Sequence, residues 1–178
     1  MPADLAEAEL ASKPSSAVLV LLRPAGDGLE TLLGLRVRRS GDPWSGQISF
    51  PGGRRHPEDR SLLETALRET REEVNLDLGG RARVLGHLAP RSPGNVPEML
   101  VVPFVAYAEG ALEPRSGPEM TETFWAPLAD LPPSRSQTVV STRIGELKVP
   151  AFLWKNRVVW GLTYRILEEL LVLVGPSR

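Results

Sequence analysis

Three glutamates set the chemical question: Glu69, Glu72 and Glu73, in the stretch Arg68-Glu69-Thr70-Arg71-Glu72-Glu73-Val74. With about 100° of turn per helical residue they fall near 0°, 300° and 40°, one arc of roughly 100°. Leu63, Leu67, Thr70 and Val74 fall near 100–160°, so the spacing predicts a helix held by that face with three carboxylates on another edge. Such an edge suits a solvated acidic surface, and it equally suits a hard divalent cation, which takes a few carboxylate oxygens together with water and phosphate. Neighbouring like charges repel by a few tenths of a kcal/mol per pair, which Arg68 and Arg71 partly offset. Ahead of the helix lies Phe50-Pro51-Gly52-Gly53. Glycine admits close backbone approach, so a main-chain carbonyl at this turn can join the carboxylates as a further ligand.

Other reactive patterns are absent. The chain has no cysteine, which excludes a disulfide framework and thiolate chemistry. His56 and His87 lack the spacing of a metal pair, and Ser45, Ser49 and Ser92 have no neighbouring His/Asp constellation. The 21 basic residues against 22 acidic ones create no basic field for nucleic acid. Arg36, Arg38, Arg39 and Arg91 are candidates for phosphate contacts, since a guanidinium offers paired donors. Trp44, Trp125, Trp154 and Trp160 fit core or edge packing, with base stacking as the alternative.

The elements that must position these groups follow from pattern. Ala17–Arg23 and Leu29–Val37 are apolar runs around Pro24-Ala25-Gly26-Asp27-Gly28 and read as a β-hairpin. Gln47–Phe50 is a short strand stopped by Pro51-Gly52-Gly53. Further strands are expected at Arg83–Ala89, Leu100–Ala108, Thr121–Ala126, Leu147–Leu153 and Arg157–Trp160. Helices are expected over Ser61–Val74 and Leu162–Val174. Many strands with two helices indicate an α+β domain built on a mixed β-sheet. Residues 1–14 read as an N-terminal extension and 15–178 as the domain. No apolar run is long enough for a membrane span and no export signal is visible, so a cytoplasmic protein is expected.

The stretch from Gly53 resembles the Nudix box, G-x5-E-x7-R-E-U-x-E-E-x-G-U with U a bulky apolar residue. Here it reads G-x5-D-x8-R-E-T-R-E-E-V-N-L. Asp59 replaces the first Glu, one extra residue precedes Arg68, Thr70 replaces the apolar residue and Asn75 replaces Gly; Asn is the best non-glycine residue for a left-handed helix end. The resemblance implies an α/β/α sandwich and hydrolysis of a nucleoside diphosphate conjugate with Mg²⁺ or Mn²⁺. It implies Glu69, Glu72, Glu73 and the Gly53 carbonyl as metal ligands, with Arg68 orienting the glutamates. The general base is Glu72, or an acid from the loop before a late strand, where Glu119 is preferred over Glu122. Arg36, Arg39 and Arg91 are the expected substrate contacts, and Asp59 either fixes the loop-to-helix junction or is a first-turn acid.

Gly46-x3-Phe50-Pro51-Gly52-Gly53 and Val159-Trp160-Gly161-Leu162-Thr163 resemble the subgroup that cleaves coenzyme A. Leu32-Leu33 and Arg36 fit its upstream pattern, whereas Val37 and Asp42 depart from it. Coenzyme A or an acyl derivative is therefore the expected substrate, with NTPs, ADP-ribose or sugar nucleotides as the alternative on the same scaffold. A non-catalytic nucleotide-binding module is the reading from another class, and the intact Arg68–Glu73 block argues against it. The expected partner is a small nucleotide conjugate, with neither membrane nor nucleic acid, and the chain is a monomer or homodimer.

Overall fold

The computed structural model describes residues 15–142 and 144–175, so the extension expected over 1–14 lies outside the described residues. In chain order the elements are β1 (Ser15–Ala25), β2 (Gly28–Arg36), β3 (Ile48–Ser49), β4 (Gly52–Arg54), α1 (Leu62–Val74), β5 (Ala82–His87), β6 (Leu100–Ala108), β7 (Met120–Pro127), β8 (Arg135–Thr142), β9 (Gly145–Trp154), β10 (Arg157–Trp160) and α2 (Gly161–Val174). Two single 3-10 turns, Leu128–Asp130 and Pro132–Ser134, lead into β8.

The first hairpin forms as expected: Ala25 pairs with Gly28 across Gly26-Asp27, and Gly26 takes φ +56°, which glycine tolerates without strain. β1 is the spine of the main sheet. It runs antiparallel to β2 and β4 and parallel to β6, so the sheet is mixed. β7 and β3 extend it beside β2, and β5 beside β6.

A strand buried on both faces reads as an unbroken apolar run, and β1 does. Ala17, Leu19 and Leu21 point to the α1 side, where Leu62, Ala66, Val74, Val102 and Ala106 complete one core. Val20 and Leu22 point the other way, onto Leu33, Phe152, Trp154, Ile166, Leu167 and Leu170. That second face is covered by α2 and by the small sheet β8–β9–β10. The layering is α/β/α around a mixed β-sheet, an α+β fold. No helix among the described residues is long and apolar enough to cross a membrane.

Three expectations need correction. Gly52-Gly53 do not merely stop a strand: they begin β4, with Gly52 opposite Val18 and Gly53 opposite Ala17. β8 was not expected, because RSQTVVST is mostly polar and mostly exposed and carries no apolar pattern. The buried face of α1 is also rotated. Leu62, Thr65, Ala66, Thr70, Glu73 and Val74 are buried, while Leu63 and Leu67 are only partly so. That arc centres near 50° on the helical wheel and takes in Glu73.

Candidate active site

α1 is well terminated for a short helix. The Ser61 hydroxyl accepts the Glu64 N–H at 3.1 Å, and Asn75 closes the other end at φ +53°, the left-handed geometry expected of it. The rotated burial grades the three glutamates. The Glu73 side chain is 2% exposed, Glu69 14% and Glu72 53%.

Glu73 is almost wholly within the protein. One carboxylate oxygen accepts the Gly52 N–H at 2.9 Å and the other an Arg36 Nη at 3.1 Å. Burial pushes its pKa up to about 7, against the opposing pull of the Gly52 amide and Arg36. Burial also raises Glu69, with Arg68 opposing. The Glu69 carboxylate lies against the backbone of β4, where a Cβ added to Gly53 would stand 2.5 Å from Glu69 Oε1. The second glycine therefore leaves the room that this carboxylate fills.

Asp59 is not the helix cap, which is Ser61. It is a buried holder for Arg68, accepting Arg68 Nε and Nη2 at 3.0 Å each together with the His56 N–H and the Thr65 hydroxyl at 2.9 Å. The bidentate Arg68 contact holds its carboxyl well below the usual carboxylate range and raises the guanidinium in turn. Arg68 Nη1 then reaches Glu69 at 3.0 Å and Glu72 at 3.2 Å, so one guanidinium spans the outer two glutamates. Asp59→Ala leaves a part-buried guanidinium without its main partner. It is expected to cost about 3 kcal/mol, a fall in Tm of roughly 6–12 °C. A melting curve within 2 °C of wild type would show that the pair does not hold this junction.

The loop before β7 closes the site from above. Gly117 N–H donates to the Glu73 carbonyl at 2.7 Å and Arg115 N–H to the Val74 carbonyl at 2.9 Å, capping the last turn of α1. A Cβ on Gly117 would overlap the Glu72 carbonyl oxygen, so the close approach requires glycine there. Glu119 is thereby brought beside the helix, and its own carbonyl accepts the Val37 N–H at 2.9 Å. Its carboxylate lies 3.6 Å from Arg36 and 3.5 Å from Arg39, while Arg39 also donates to the Pro118 carbonyl.

The structure thus brings together Arg36, Arg39, Gly53, Arg68, Glu69, Glu72, Glu73 and Glu119. It does not bring Arg91, which pairs with Glu169 of α2 at 2.7 Å and bridges to Val101. Glu122, the alternative base, turns instead to Arg157 of β10. Asp42 was missed. It accepts an Arg36 Nη at 3.2 Å and the Trp44 N–H at 2.9 Å, so Arg36 is shared among Asp42, Glu73 and Glu119. Its sequence signal was the departure from the upstream arginine pattern.

Among the described residues no three acidic or imidazole side chains gather round one point. On that helix edge Glu73 is held by Arg36 and Gly52, and Glu69 and Glu72 by Arg68. The donor set suits a hard cation: all oxygen, based on one helix, with the Glu69 carboxylate seated against the β4 backbone where Gly53 leaves room for it.

The NUDIX domain model matches residues 13–142. The chain belongs to the Nudix family. The mitochondrial coenzyme A diphosphatase NUDT8 of Homo sapiens is 36% identical over 180 residues, covering 97% of this chain and 75% of its own. NudL, a Nudix hydrolase of Photorhabdus laumondii, is 38% identical over 130 residues, 71% of this chain and 67% of its own. A MutT/nudix family protein from Enterococcus faecalis shares the fold, with a TM-score of 0.56 at 21% identity over 97% of this chain and 70% of that one. The chain is accordingly a Nudix pyrophosphohydrolase, of a family that works with divalent metal ions.

Proposed function

We propose that this Nudix hydrolase cleaves the diphosphate of coenzyme A or an acyl derivative, giving 3′,5′-ADP and a 4′-phosphopantetheine product. The observation that carries the substrate is the likeness to the human diphosphatase across nearly the whole chain. Gly46-x3-Phe50-Pro51-Gly52-Gly53 and Val159-Trp160-Gly161-Leu162-Thr163 add support. Residues 15–178 form the catalytic domain in this reading and 1–14 an extension. The protein acts in the cytoplasm, as a monomer or homodimer, on a small nucleotide conjugate rather than on nucleic acid.

Glu69, Glu72, Glu73 and the Gly53 carbonyl would hold Mg²⁺ or Mn²⁺, which when bound neutralises diphosphate charge. The chain's own residues supply the rest. Glu119, poised on a loop pinned to α1, accepts the proton as water adds to one phosphorus; Glu72 is the second candidate for that proton. The bond from that phosphorus to the bridging oxygen breaks, and the bridging oxygen leaves with the other phosphate. Arg39, half exposed and resting on Glu119 and the Pro118 carbonyl, is the arginine placed to meet a substrate phosphate. Arg36 is engaged by three carboxylates and serves better to position Glu73 and Glu119 than to bind substrate.

Asp42, an acid where the coenzyme A subgroup carries arginine, favours a second reading: an NTP, ADP-ribose or sugar-nucleotide pyrophosphohydrolase. Turnover of coenzyme A, acetyl-CoA, ADP-ribose, NADH and NTPs, measured side by side with Mg²⁺ and with Mn²⁺, separates the two. A kcat/KM for coenzyme A at least tenfold above the rest is expected, and equal or higher values for NTPs or ADP-ribose would overturn the substrate assignment.

A further inference from the structure

Two arginines of the carboxylate cluster hold their acids differently. Arg68 commits to one: Nε and Nη2 meet the two Asp59 oxygens at 3.0 Å each, the fork that a guanidinium offers a carboxylate. Arg36 is divided. Its Nη1 reaches Glu73 at 3.1 Å, while its Nη2 reaches Asp42 at 3.2 Å and stands 3.6 Å from Glu119. Its Nε is buried with no hydrogen-bond partner among the described residues. Each bond is single and longer than the roughly 2.7–2.9 Å of a well-made charge-assisted contact. No acid therefore receives the whole fork, although Glu73 is the most deeply buried of the three.

Asp42 is fixed so as to take its share. Its Oδ1 accepts the Trp44 N–H at 2.9 Å, an Asx turn that leaves Oδ2 to Arg36. The turn is tied down beyond that point. Ser45 N–H donates to the Asp42 carbonyl at 3.3 Å, Gln47 N–H to the Trp44 carbonyl at 3.1 Å, and Arg36 N–H to the Gln47 carbonyl at 2.9 Å. The loop over 42–47 thus closes back on β2 at Arg36 itself. Asp42 stands where the coenzyme A subgroup carries arginine, so this chain places an anion beside Arg36 where that pattern has a cation.

The consequence falls on Glu73. A carboxylate gripped by a full guanidinium fork has its charge neutralised and its lone pairs occupied, whereas a ligand to a hard cation must offer both. Glu73 Oε2 already accepts the Gly52 N–H, and Oε1 one Arg36 donor. A second Arg36 donor moved onto Glu73 would complete the fork, and Asp42 holds that donor. We propose that Asp42 is a positioning residue for the cation site: it keeps Arg36 Nη2 off Glu73 and leaves that carboxylate available to Mg²⁺ or Mn²⁺. This rests on the reading above in which Glu73 is a metal ligand.

The test is Mn²⁺ binding to the full chain without substrate, read from the electron paramagnetic resonance signal of the free ion. Asp42→Asn keeps the Trp44 turn, since the amide oxygen accepts the same N–H, but loses the charge that holds Arg36. Its Kd for Mn²⁺ is expected to rise about tenfold. With Arg36→Gln as the background, the same substitution is expected to change Kd by less than about twofold, because no guanidinium is left to move. An equal loss in both backgrounds would show that Asp42 acts on the cation directly by its charge, and would overturn the proposal. An unchanged Kd in Asp42→Asn would overturn it as well. Salt decides the matter with the single variant, should Arg36→Gln not fold. The gap between Asp42→Asn and wild type should persist in 1 M KCl, where screening acts over about 3 Å, and a gap that closes there counts against the proposal. Glu73→Gln separates the two readings. Wild-type affinity in that variant refutes Glu73 as a ligand and the proposal with it, whereas weakened affinity there beside an unaltered Asp42→Asn refutes the role of Asp42 alone.

Discussion

Glu73→Gln is expected to lower kcat by about 10³-fold or more while the protein stays folded. The amide is isosteric, and its oxygen can still accept the Gly52 N–H that the carboxylate accepts at 2.9 Å. Lost is the negative charge facing Arg36 and, in the proposed role, one hard anionic ligand to the cation. Charge neutralisation of the diphosphate is worth several kcal/mol, and each 1.36 kcal/mol is a factor of ten in rate. Near-normal turnover by this variant would remove Glu73 from the metal site altogether.

The same side chain predicts a pH signature that needs no substrate. Its folded pKa is about 7, above the ordinary 4.5, because burial disfavours the anion. A raised folded pKa means that the stability belonging to the protonated form is full below about pH 4.5 and is lost as pH climbs through 7. Metal-free wild type should therefore melt lower at pH 8 than Glu73→Gln, by up to about 3 kcal/mol, roughly 6–12 °C. At pH 5 the gap should shrink to under about 1 kcal/mol. A divalent cation replaces the proton as the partner of the buried carboxylate, so adding Mg²⁺ at pH 8 should raise the wild-type midpoint and leave the variant's in place. Parallel melting curves across pH 5–8 would mean that Glu73 is not a strained acid.

Most of this architecture was readable from residue pattern because its causes are local. The double-faced run of β1, the Gly26-Asp27 turn, and the Ser61 and Asn75 ends of α1 each satisfy a constraint visible within a few residues. The errors lie where tertiary closure outranks pattern. A wheel built on apolar residues turned α1 toward Leu63 and Leu67, yet the buried side includes Thr65, Thr70 and Glu73. An acid placed in the core breaks the binary pattern that locates the core. The Gly117 loop against the end of α1, and Arg36 shared among three acids, join residues between 6 and 83 positions apart. No window along the chain contains them. Arg91 had only its residue type to recommend it, and Glu169 supplies a structural reason for its presence.

Gly52→Ala and Gly53→Ala, one position apart, are expected to fail in opposite ways. At Gly52 a Cβ would overlap the Ala17 carbonyl oxygen and stand 2.5 Å from Val18 Cα. Those atoms belong to the backbone of β1, the spine paired on both sides, and cannot withdraw. The clash should cost about 3–5 kcal/mol, so that variant should melt some 10 °C lower or fail to fold, whatever its chemistry. At Gly53 the new Cβ meets the Glu69 carboxylate, Oε1 at 2.5 Å and Cδ at 2.6 Å. That is the far end of a flexible side chain, which can turn aside with little loss of stability. The Gly53 variant should keep its Tm within about 3 °C, yet lose 10- to 100-fold in divalent-cation affinity and at least as much in kcat, as displaced ligand shells do. Full activity in Gly53→Ala would show that Glu69 need not lie against the β4 turn. A Gly52→Ala protein as stable as wild type would show that β4 does not press on the central strand as closely as its pairing with Val18 indicates.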